Sequence, residues 1–146
     1  HLALPSAVWR DERAASMRYI ARAHAQKGER DEARDWYLRA AAEAPHLREP
    51  WVDLAMLLYE DQEWDGVLYA TACALKIRER PRTYICEAEA WGGLPHDLRC
   101  QAYYHTGRLP QALEEARLAL AAAPSDPRLA GNAELLEKMA GLAGEL

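Results

Sequence analysis

Residues 28–45 read GERDEARDWYLRAAAEAP and residues 107–124 read GRLPQALEEARLALAAAP, and these two stretches share one pattern of small and helix-stopping residues. Gly28 and Gly107 open them, and each is followed at the same intervals by four further pattern positions, of which the last is a proline. Glycine accepts a positive φ at a turn, and proline ends a helix because it has no N–H to donate. Alanine leaves only a methyl group where two helices cross closely. The repetition predicts helix–turn–helix units that pack through small residues.

The matched positions between the glycine and the proline are Ala33 with Ala112, Tyr37 with Ala116 and Ala40 with Ala119, and the closing prolines are Pro45 and Pro124. A middle unit has the same character, with Trp51, Leu54, Ala55 and Leu58 on its first helix and Val67, Thr71 and Ala74 on its second. In that unit Gln62 stands where the pattern expects glycine. We expect helices over residues 7–27, 31–44, 49–61, 64–78, 94–106, 110–123 and 126–142.

This spacing resembles the tetratricopeptide (TPR) motif, whose small and aromatic residues recur over 34 residues. The resemblance implies an all-α fold, a right-handed α-α superhelix of about three helix pairs with a C-terminal capping helix. We expect one domain over residues 1–146, with repeats near 14–45, 48–79 and 93–124 and the capping helix at 126–142. Such an amphipathic helix covers the open end of a solenoid.

An insert at residues 80–92 interrupts the repeat, because the first and third units lie farther apart than two 34-residue repeats require. It contains Tyr84 and Trp91. One interpretation is structural: the two rings fill a gap where the superhelix changes pitch. The other is that they form part of a binding surface, since long loops on rigid scaffolds often carry function. The sequence leaves both open.

The composition argues against several kinds of partner and against catalysis. The net charge of −5 offers no overall attraction to nucleic acid, and no apolar run approaches a bilayer span. Three cysteines without CxxC pairing favour a cytoplasmic setting. No serine lies in a nucleophile elbow, and the spacing of Cys86, His96, Cys100 and His105 matches no common zinc pattern. We therefore expect no enzyme activity in this chain, no cofactor and no metal site.

The TPR resemblance also implies where a ligand binds, because the first helix of each pair faces the groove of the superhelix. By register, the groove positions are Ala15, Arg18, Arg22 and Ala25 in the first unit, Glu49, Val52, Met56 and Tyr59 in the second, and Leu94, Asp97, Gln101 and Tyr104 in the third, with His105 beside them. From these we expect a protein or peptide partner to contact Arg18, Arg22, Glu49, Val52, Met56, Tyr59, Asp97, Gln101, Tyr104 and His105.

One TPR subtype does not fit these positions. Repeats that hold the C-terminal carboxylate of chaperones use lysine, asparagine and arginine where this chain has Arg18, Arg22, Asp53, Leu94 and Leu98. The two arginines can still bind an anion, but the remaining cationic and amide groups are missing. We therefore do not expect binding of chaperone tails.

A narrower resemblance lies in residues 91–98, which read WGGLPHDL. Together with Glu49-Pro50-Trp51, with residues 102–107 and with residues 126–132, this stretch is similar to the C-terminal repeat region of certain bacterial family 2 glycosyltransferases. The resemblance implies an accessory domain that docks acceptor or partner proteins beside a catalytic domain elsewhere in the same protein. The alternative is a free-standing adaptor that binds a peptide or an assembly partner. Self-association through the insert or the capping helix is a further hypothesis.

Overall fold

The computed structural model describes residues 3–82 and 86–145, and within them every regular element is a helix. The elements run α1 Ala3–Gln26, α2 Arg30–Glu43, α3 Glu49–Glu60, α4 Trp64–Lys76, α5 Ala88–Trp91, α6 Leu94–His105, α7 Leu109–Ala122 and α8 Pro127–Glu145. The seven helices expected from the sequence all have counterparts here. The four-residue α5 was not expected, because a single turn within an irregular segment leaves no periodicity to detect.

The helices form three antiparallel pairs, α1 with α2, α3 with α4 and α6 with α7, and α8 packs on the last of them. The first helices also contact one another, α1 with α3 and α3 with α6. Among the described helices, no contact of similar extent joins α2 to α4 or α4 to α7. The first helices therefore converge on the inner, concave face of the superhelix, and the second helices spread over its outer face.

The turn inside each pair has the same backbone geometry. Gly28, Gln62 and Gly107 have φ values of 79°, 57° and 75°. In each case the N–H of this residue bonds to a carbonyl three residues back, and the next N–H reaches a carbonyl five residues back. This is the Schellman motif, which satisfies carbonyls at a helix end and needs a left-handed residue. The first two turns are one 34-residue period apart, and Gln62 adopts the glycine-type conformation.

The core is built from the positions that the repeat predicts. Ala33, Ala40, Ala112 and Ala119 have no solvent exposure, and Ala55 and Ala74 of the middle pair are equally buried. Tyr37 supplies an aromatic ring to the largest apolar cluster. At the far end α8 contributes Leu129, Ala133 and Leu136, and the last two pack with Cys100, Ala112 and Ala116. Small residues thus allow close helix approach along the whole stack.

The insert leaves the stack intact. Helix α6 packs against both α3 and α4, as α3 packs against α1 and α2. The chain therefore leaves the stack after Lys76 and returns to it at Leu94, with the short α5 on the way. Ala90 of α5 is buried, and Trp91 packs on the main cluster. Trp91 thus makes packing contacts with the stack, and whether the insert also forms part of a binding surface stays a prediction. Tyr84 lies outside the described residues.

Candidate functional site

The concave face divides into two halves that differ in solvent exposure. The turn-side half consists of the predicted positions near the C-terminal ends of the first helices: Arg22, Ala25, Met56, Tyr59, Gln101 and Tyr104. The insert-side half consists of those nearer their N-terminal ends: Ala15, Arg18, Glu49, Val52, Leu94 and Asp97. Every member of the turn-side half keeps solvent contact, whereas Arg18, Glu49 and Val52 of the other half are buried.

The first opening in the turn-side half is a depression of about 370 Å³ between α1, α2 and α3. Its lining includes Arg22, Tyr37, Asp53, Met56 and Glu60. The Arg22 guanidinium is half exposed and lies 3.8 Å from Asp53. Burial and the charge of Asp53 raise the pKa of Tyr37, against the opposite effect of Arg22. The phenol is therefore a neutral hydrogen-bonding group in this depression.

A second depression, of about 170 Å³, lies between α6 and α8. Gln101, Tyr104, Asn132 and Leu135 border it, and Leu136 and Cys100 form its floor. Tyr104 is 44% exposed and Leu135 is 56% exposed. Burial raises the pKa of the Cys100 thiol to about 11, so this thiol is an inert apolar group at neutral pH. The second depression is therefore mainly apolar, with two amide side chains at its rim.

An aromatic string of four rings runs along the turn-side edge: Tyr59, Trp64, His105 and Tyr104. The His105 ring stacks on Trp64 with centroids 4.5 Å apart and planes 7° from parallel. Tyr59 meets Trp64 edge-on at 5.5 Å, and Tyr104 meets His105 edge-on at 5.3 Å. Edge-on and offset contacts of this kind favour a rigid arrangement. The string links the middle and third units along the border of the groove.

The insert covers the other half of the groove at the level of α3. Glu49 is 1% exposed, and its Oε2 accepts hydrogen bonds from the Glu87 backbone N–H at 2.7 Å and from the Trp91 indole N–H at 2.8 Å. The Arg48 guanidinium lies over the Trp91 ring at 4.5 Å. Val52 is enclosed in the main cluster together with Ala90. Glu49 and Val52 therefore hold the insert in place and are buried beneath it, and their predicted contact with a ligand stays a prediction.

Arg18 is also buried, and it binds two carboxylates. Its Nε donates to Asp53 at 2.6 Å and its Nη2 donates to Glu87 at 2.8 Å. Burial alone would lower the pKa of Arg18, but the hydrogen bonds and charges of Asp53 and Glu87 raise it above the usual range. The guanidinium thus stays charged, and both of these hydrogen bonds go to groups of the chain itself. Direct ligand contact at Arg18 stays a prediction, and in this structure both of its carboxylate partners belong to the chain.

In the third unit the groove position Asp97 pairs with an arginine of α8, whereas Arg18 and Glu49 of the first two units bond to the insert. Arg128 donates to Asp97 at 2.7 Å. That hydrogen bond and the charge of Asp97 raise the pKa of Arg128. Only 13% of the Asp97 side chain is exposed, against 60% for Arg128. Arg128 is thus the more exposed member of this pair, and contact of a ligand with Asp97 stays a prediction.

The remaining candidates take up ordinary structural contacts. His96 bonds to Glu115 through Nδ1 at 2.8 Å, and Arg99 joins the same carboxylate at 3.2 Å. His105, by contrast, lies exposed at the edge of the turn-side half. Within residues 3–82 and 86–145, no three histidine, cysteine, aspartate or glutamate side chains are grouped so that they could hold a metal ion.

Sequence reasoning missed four residues at this face: Glu87, Arg128, Asn132 and Leu135. Three of them belong to α8, which we interpreted only as a cap because its apolar stripe accounts for its presence. Leu135 is adjacent to Leu136 of that stripe, and an exposed leucine beside it was the available signal. Glu87 gave no signal, because the insert has no repeat register.

Comparison with known proteins identifies the fold. No protein-family model matches the chain, and no curated protein matches it. Solved structures do: the N-terminal domain of stress-induced protein-1 from C. elegans superposes with a TM-score of 0.76 at 15% identity, covering 88% of this chain and 97% of that one. The first TPR of Spaghetti (RPAP3), bound to the HSP90 peptide SRMEEVD, gives 0.73 at 14% identity, with 90% and 95% covered. The Arabidopsis OM64 TPR domain gives 0.71 at 16% identity, with 88% and 98% covered.

These likenesses define the class of structure. The chain has the fold of TPR domains, a right-handed superhelix of antiparallel helix pairs, and its concave face is built from the first helices. At 14–16% identity the comparison concerns the fold alone. Of the helices in the described part of the chain, none is long and apolar enough to cross a membrane.

Proposed function

We propose that this chain is a protein-interaction module that binds an extended peptide segment along the turn-side half of its groove. One observation carries the proposal: three exposed apolar side chains line the two depressions, Met56 in the first and Tyr104 and Leu135 in the second. Grouped apolar exposure with a polar border is typical of an interaction site. Isolated exposed residues would carry no such meaning.

The chemistry of this half favours a segment with large apolar side chains. Tyrosine offers a wide contact area at a low cost in side-chain entropy, and methionine adapts to irregular partners. Gln101 and Asn132 can bond to the backbone of an extended chain. Arg22 is the exposed cation of the first depression and suits an acidic group at one end of the segment.

Two TPR domains of this fold are solved with peptides that end in EEVD, SRMEEVD in one and the HSP70 peptide SGPTIEEVD in the second TPR domain of human RPAP3. We do not extend that ligand to this chain. Arg18 is already bound to Asp53 and Glu87, and Leu98 is buried. Isothermal titration of the chain with SRMEEVD should give no saturable heat, and a micromolar dissociation constant would contradict this.

The groove is tested with peptides selected from a random library against the full chain. We expect Met56→Ala and Tyr104→Ala each to weaken binding of the selected peptides about tenfold, as loss of a buried contact in a small interface does. Tyr69→Ala is the matched control, since Tyr69 is an exposed tyrosine on α4. If Tyr69→Ala weakens binding as much as Tyr104→Ala, or if neither groove change has an effect, the groove is not the site.

The resemblance of residues 91–98 to glycosyltransferase tails supports a narrower form of the proposal, in which the module docks acceptors or partners for a family 2 transferase. In this chain Trp91 bonds to Glu49, and Pro95 and Leu98 are buried. The residues that carry the similarity therefore also have packing roles in this fold. The narrower form predicts a sugar-nucleotide domain elsewhere in the same protein, and glycosylation that falls when residues 1–146 are deleted.

The alternative of a free-standing adaptor predicts that the rest of the protein contains no sugar-nucleotide domain. If a transferase domain is present and deletion of these residues leaves glycosylation unchanged, the narrower form fails. The groove proposal is independent of that outcome, because it concerns peptide contact at Met56 and Tyr104.

A further inference from the structure

We propose that the edge of the stack opposite the turns carries a phosphate-binding site, formed by Lys76, Arg78 and Arg80 around a third depression. This depression has a volume of about 520 Å³, and His46 and Glu79 also border it. Because the turns within the pairs lie at one edge of the stack, the connections between pairs lie at the other. The site is therefore separate from the turn-side half of the groove, and the inference goes beyond the proposed function without depending on it.

The first support is a concentration of unpaired positive charge. Lys76, Arg78 and Arg80 are exposed, and among the described residues none of them forms a salt bridge. Eight other arginines of the described chain pair with carboxylates. The lining contains one carboxylate, that of Glu79, against the three cations. In a chain whose net charge is −5, this is a local field that attracts anions.

The second support is that the backbone carrying these cations is held in place. The Arg48 guanidinium donates to the Ile77 carbonyl at 2.7 Å, directly after the end of α4. The Cys86 thiol donates to the Pro81 carbonyl at 3.6 Å. The segment that follows Lys76 is therefore fixed near both of its ends. A ligand does not have to order this segment when it binds, which lowers the entropic cost of binding.

The border formed by the connection between α2 and α3 is fixed as well. His46 lies in this connection, and its Nε2 is 2.5 Å from the Asp11 Oδ1 of α1. The Asp11 side chain is only 6% exposed and does not border the depression. The buried carboxylate thus holds the imidazole ring without adding an exposed negative charge to the site.

The third support is the chemistry of the donors. Each arginine presents five N–H donors in a planar fork, and the lysine presents three donors on a compact charge. A phosphate monoester has three strong acceptor oxygens that point in different directions, and it carries close to two negative charges at neutral pH. A carboxylate has two oxygens in one plane and a single charge. Three cations from separate positions around one depression therefore suit a phosphate group better than a carboxylate.

The test follows the Arg78 and Arg80 Nε–H signals of the full chain by NMR while inorganic phosphate or pyrophosphate is added at low salt. The variants are Lys76→Gln and Arg78→Gln, each of which removes one positive charge. Lys27→Gln is the matched control, because Lys27 is an exposed lysine that forms no salt bridge within the described residues. Succinate provides two negative charges without a phosphate group.

We expect pyrophosphate to bind at least about tenfold more tightly than phosphate, because it carries more negative charge on two adjoining groups, and both to bind more tightly than succinate. Lys76→Gln and Arg78→Gln should each weaken pyrophosphate binding about fivefold or more, read from the Arg80 signal. Lys27→Gln should stay within about twofold of the wild type, since exposed charges far apart are screened. Neither Lys76 nor Arg78 holds the segment in place through its side chain, so both variants should keep the wild-type urea midpoint.

A short peptide with one phosphoserine distinguishes the two sources of such a group. Tighter binding of this peptide than of inorganic phosphate would assign the site to a phosphorylated partner segment. Binding no tighter than that of inorganic phosphate would assign it to a small phosphate compound. Both results require that pyrophosphate binds at the depression.

Absence of a saturable shift with pyrophosphate, equal affinity for succinate, or equal losses in Lys27→Gln and the two depression variants would overturn the proposal. Measurable binding of the unphosphorylated peptide, equal to that of the phosphorylated one, would overturn it too. None of these results bears on the groove, which the library-selected peptides and the Met56 and Tyr104 variants test separately.

Discussion

At the scale of single residues, the turn within each helix pair depends on one backbone conformation. Gly28 and Gly107 could be assigned to it from the sequence, because glycine at the end of an apolar helical stretch is typical of a left-handed cap. Gln62 could be placed only by register, since its side chain gives no such signal. The structure confirms that all three share a positive φ. A residue with a Cβ pays a steric cost in this region that glycine avoids.

Introducing a glycine at one of these turns and removing one from another should therefore change stability in opposite directions. We expect Gln62→Gly to raise the free energy of unfolding by up to about 1 kcal/mol and Gly107→Ala to lower it by about 1 kcal/mol. A Cβ at Gly107 meets no atom within 4 Å, so the second effect comes from the backbone alone. Urea denaturation measures both, and a loss of stability in Gln62→Gly equal to that in Gly107→Ala would contradict the explanation.

At the scale of helices, the alanine positions set how closely each pair packs. Ala33 is fully buried on α2, where the helix meets its neighbours. Ala42 lies on the same helix and is exposed. The repeat predicted that Ala33 packs between helices, because Ala112 stands at the matching position. Ala42 is matched by Ala121 in the same way, so only the structure shows that it is exposed.

A larger side chain at the buried position should force the pair apart. We expect Ala33→Leu to lower the free energy of unfolding by about 1–3 kcal/mol, whereas Ala42→Leu should change it by no more than about 0.5 kcal/mol. Thermal and urea unfolding of the two variants, which add the same side chain to one helix, provide the comparison. Similar values for both would show that the helices do not meet through Ala33.

The position of the insert on the stack depends on the buried Glu49 carboxylate. Replacing Glu49 by alanine leaves the Glu87 N–H and the Trp91 indole N–H without their acceptor, and we expect a loss of about 2–4 kcal/mol. Faster hydrogen exchange at the Trp91 indole, followed by NMR, should accompany it. Glu89→Ala serves as the exposed control. Unchanged exchange at Trp91 in the Glu49 variant would show that other contacts suffice to hold the insert.

At the scale of the whole molecule, α8 both closes the stack and borders the groove. Leu136 is buried against Cys100 and Ala116, while its neighbour Leu135 is exposed on the second depression. One helix thus has a packing face and a face turned to the groove. The sequence predicted the first, because its apolar stripe repeats with helical period.

The two leucines should separate stability from binding. Leu136→Ala should lower the free energy of unfolding by about 2–4 kcal/mol, since it removes a buried side chain at the end of the stack. Leu135→Ala should change it by less than about 0.5 kcal/mol while weakening the library-selected peptides. A large stability loss in Leu135→Ala would mean that this residue belongs to the core.

Most of the fold could be predicted because it depends on local rules that the sequence displays directly. Small residues at a fixed interval, glycines at turns and prolines at helix ends each act on their own neighbourhood, so Gly28, Ala33 and Pro45 specify a helix pair without knowledge of the rest of the chain. The register then extended the prediction to the groove positions near the C-terminal end of each first helix, where Arg22, Met56 and Tyr104 lie open to solvent.

What only the tertiary structure decided is which part of the groove is free. Arg18, Glu49 and Val52 hold groove positions by register, yet they are buried because the insert folds back onto two of the three units and Glu87 meets Arg18. Arg128 likewise reaches Asp97 from α8. These contacts join residues far apart in the chain, and their formation depends on the whole stack being assembled. Local periodicity contains no information about them, so the sequence specified the scaffold and the assembled chain determined the shape of its binding face.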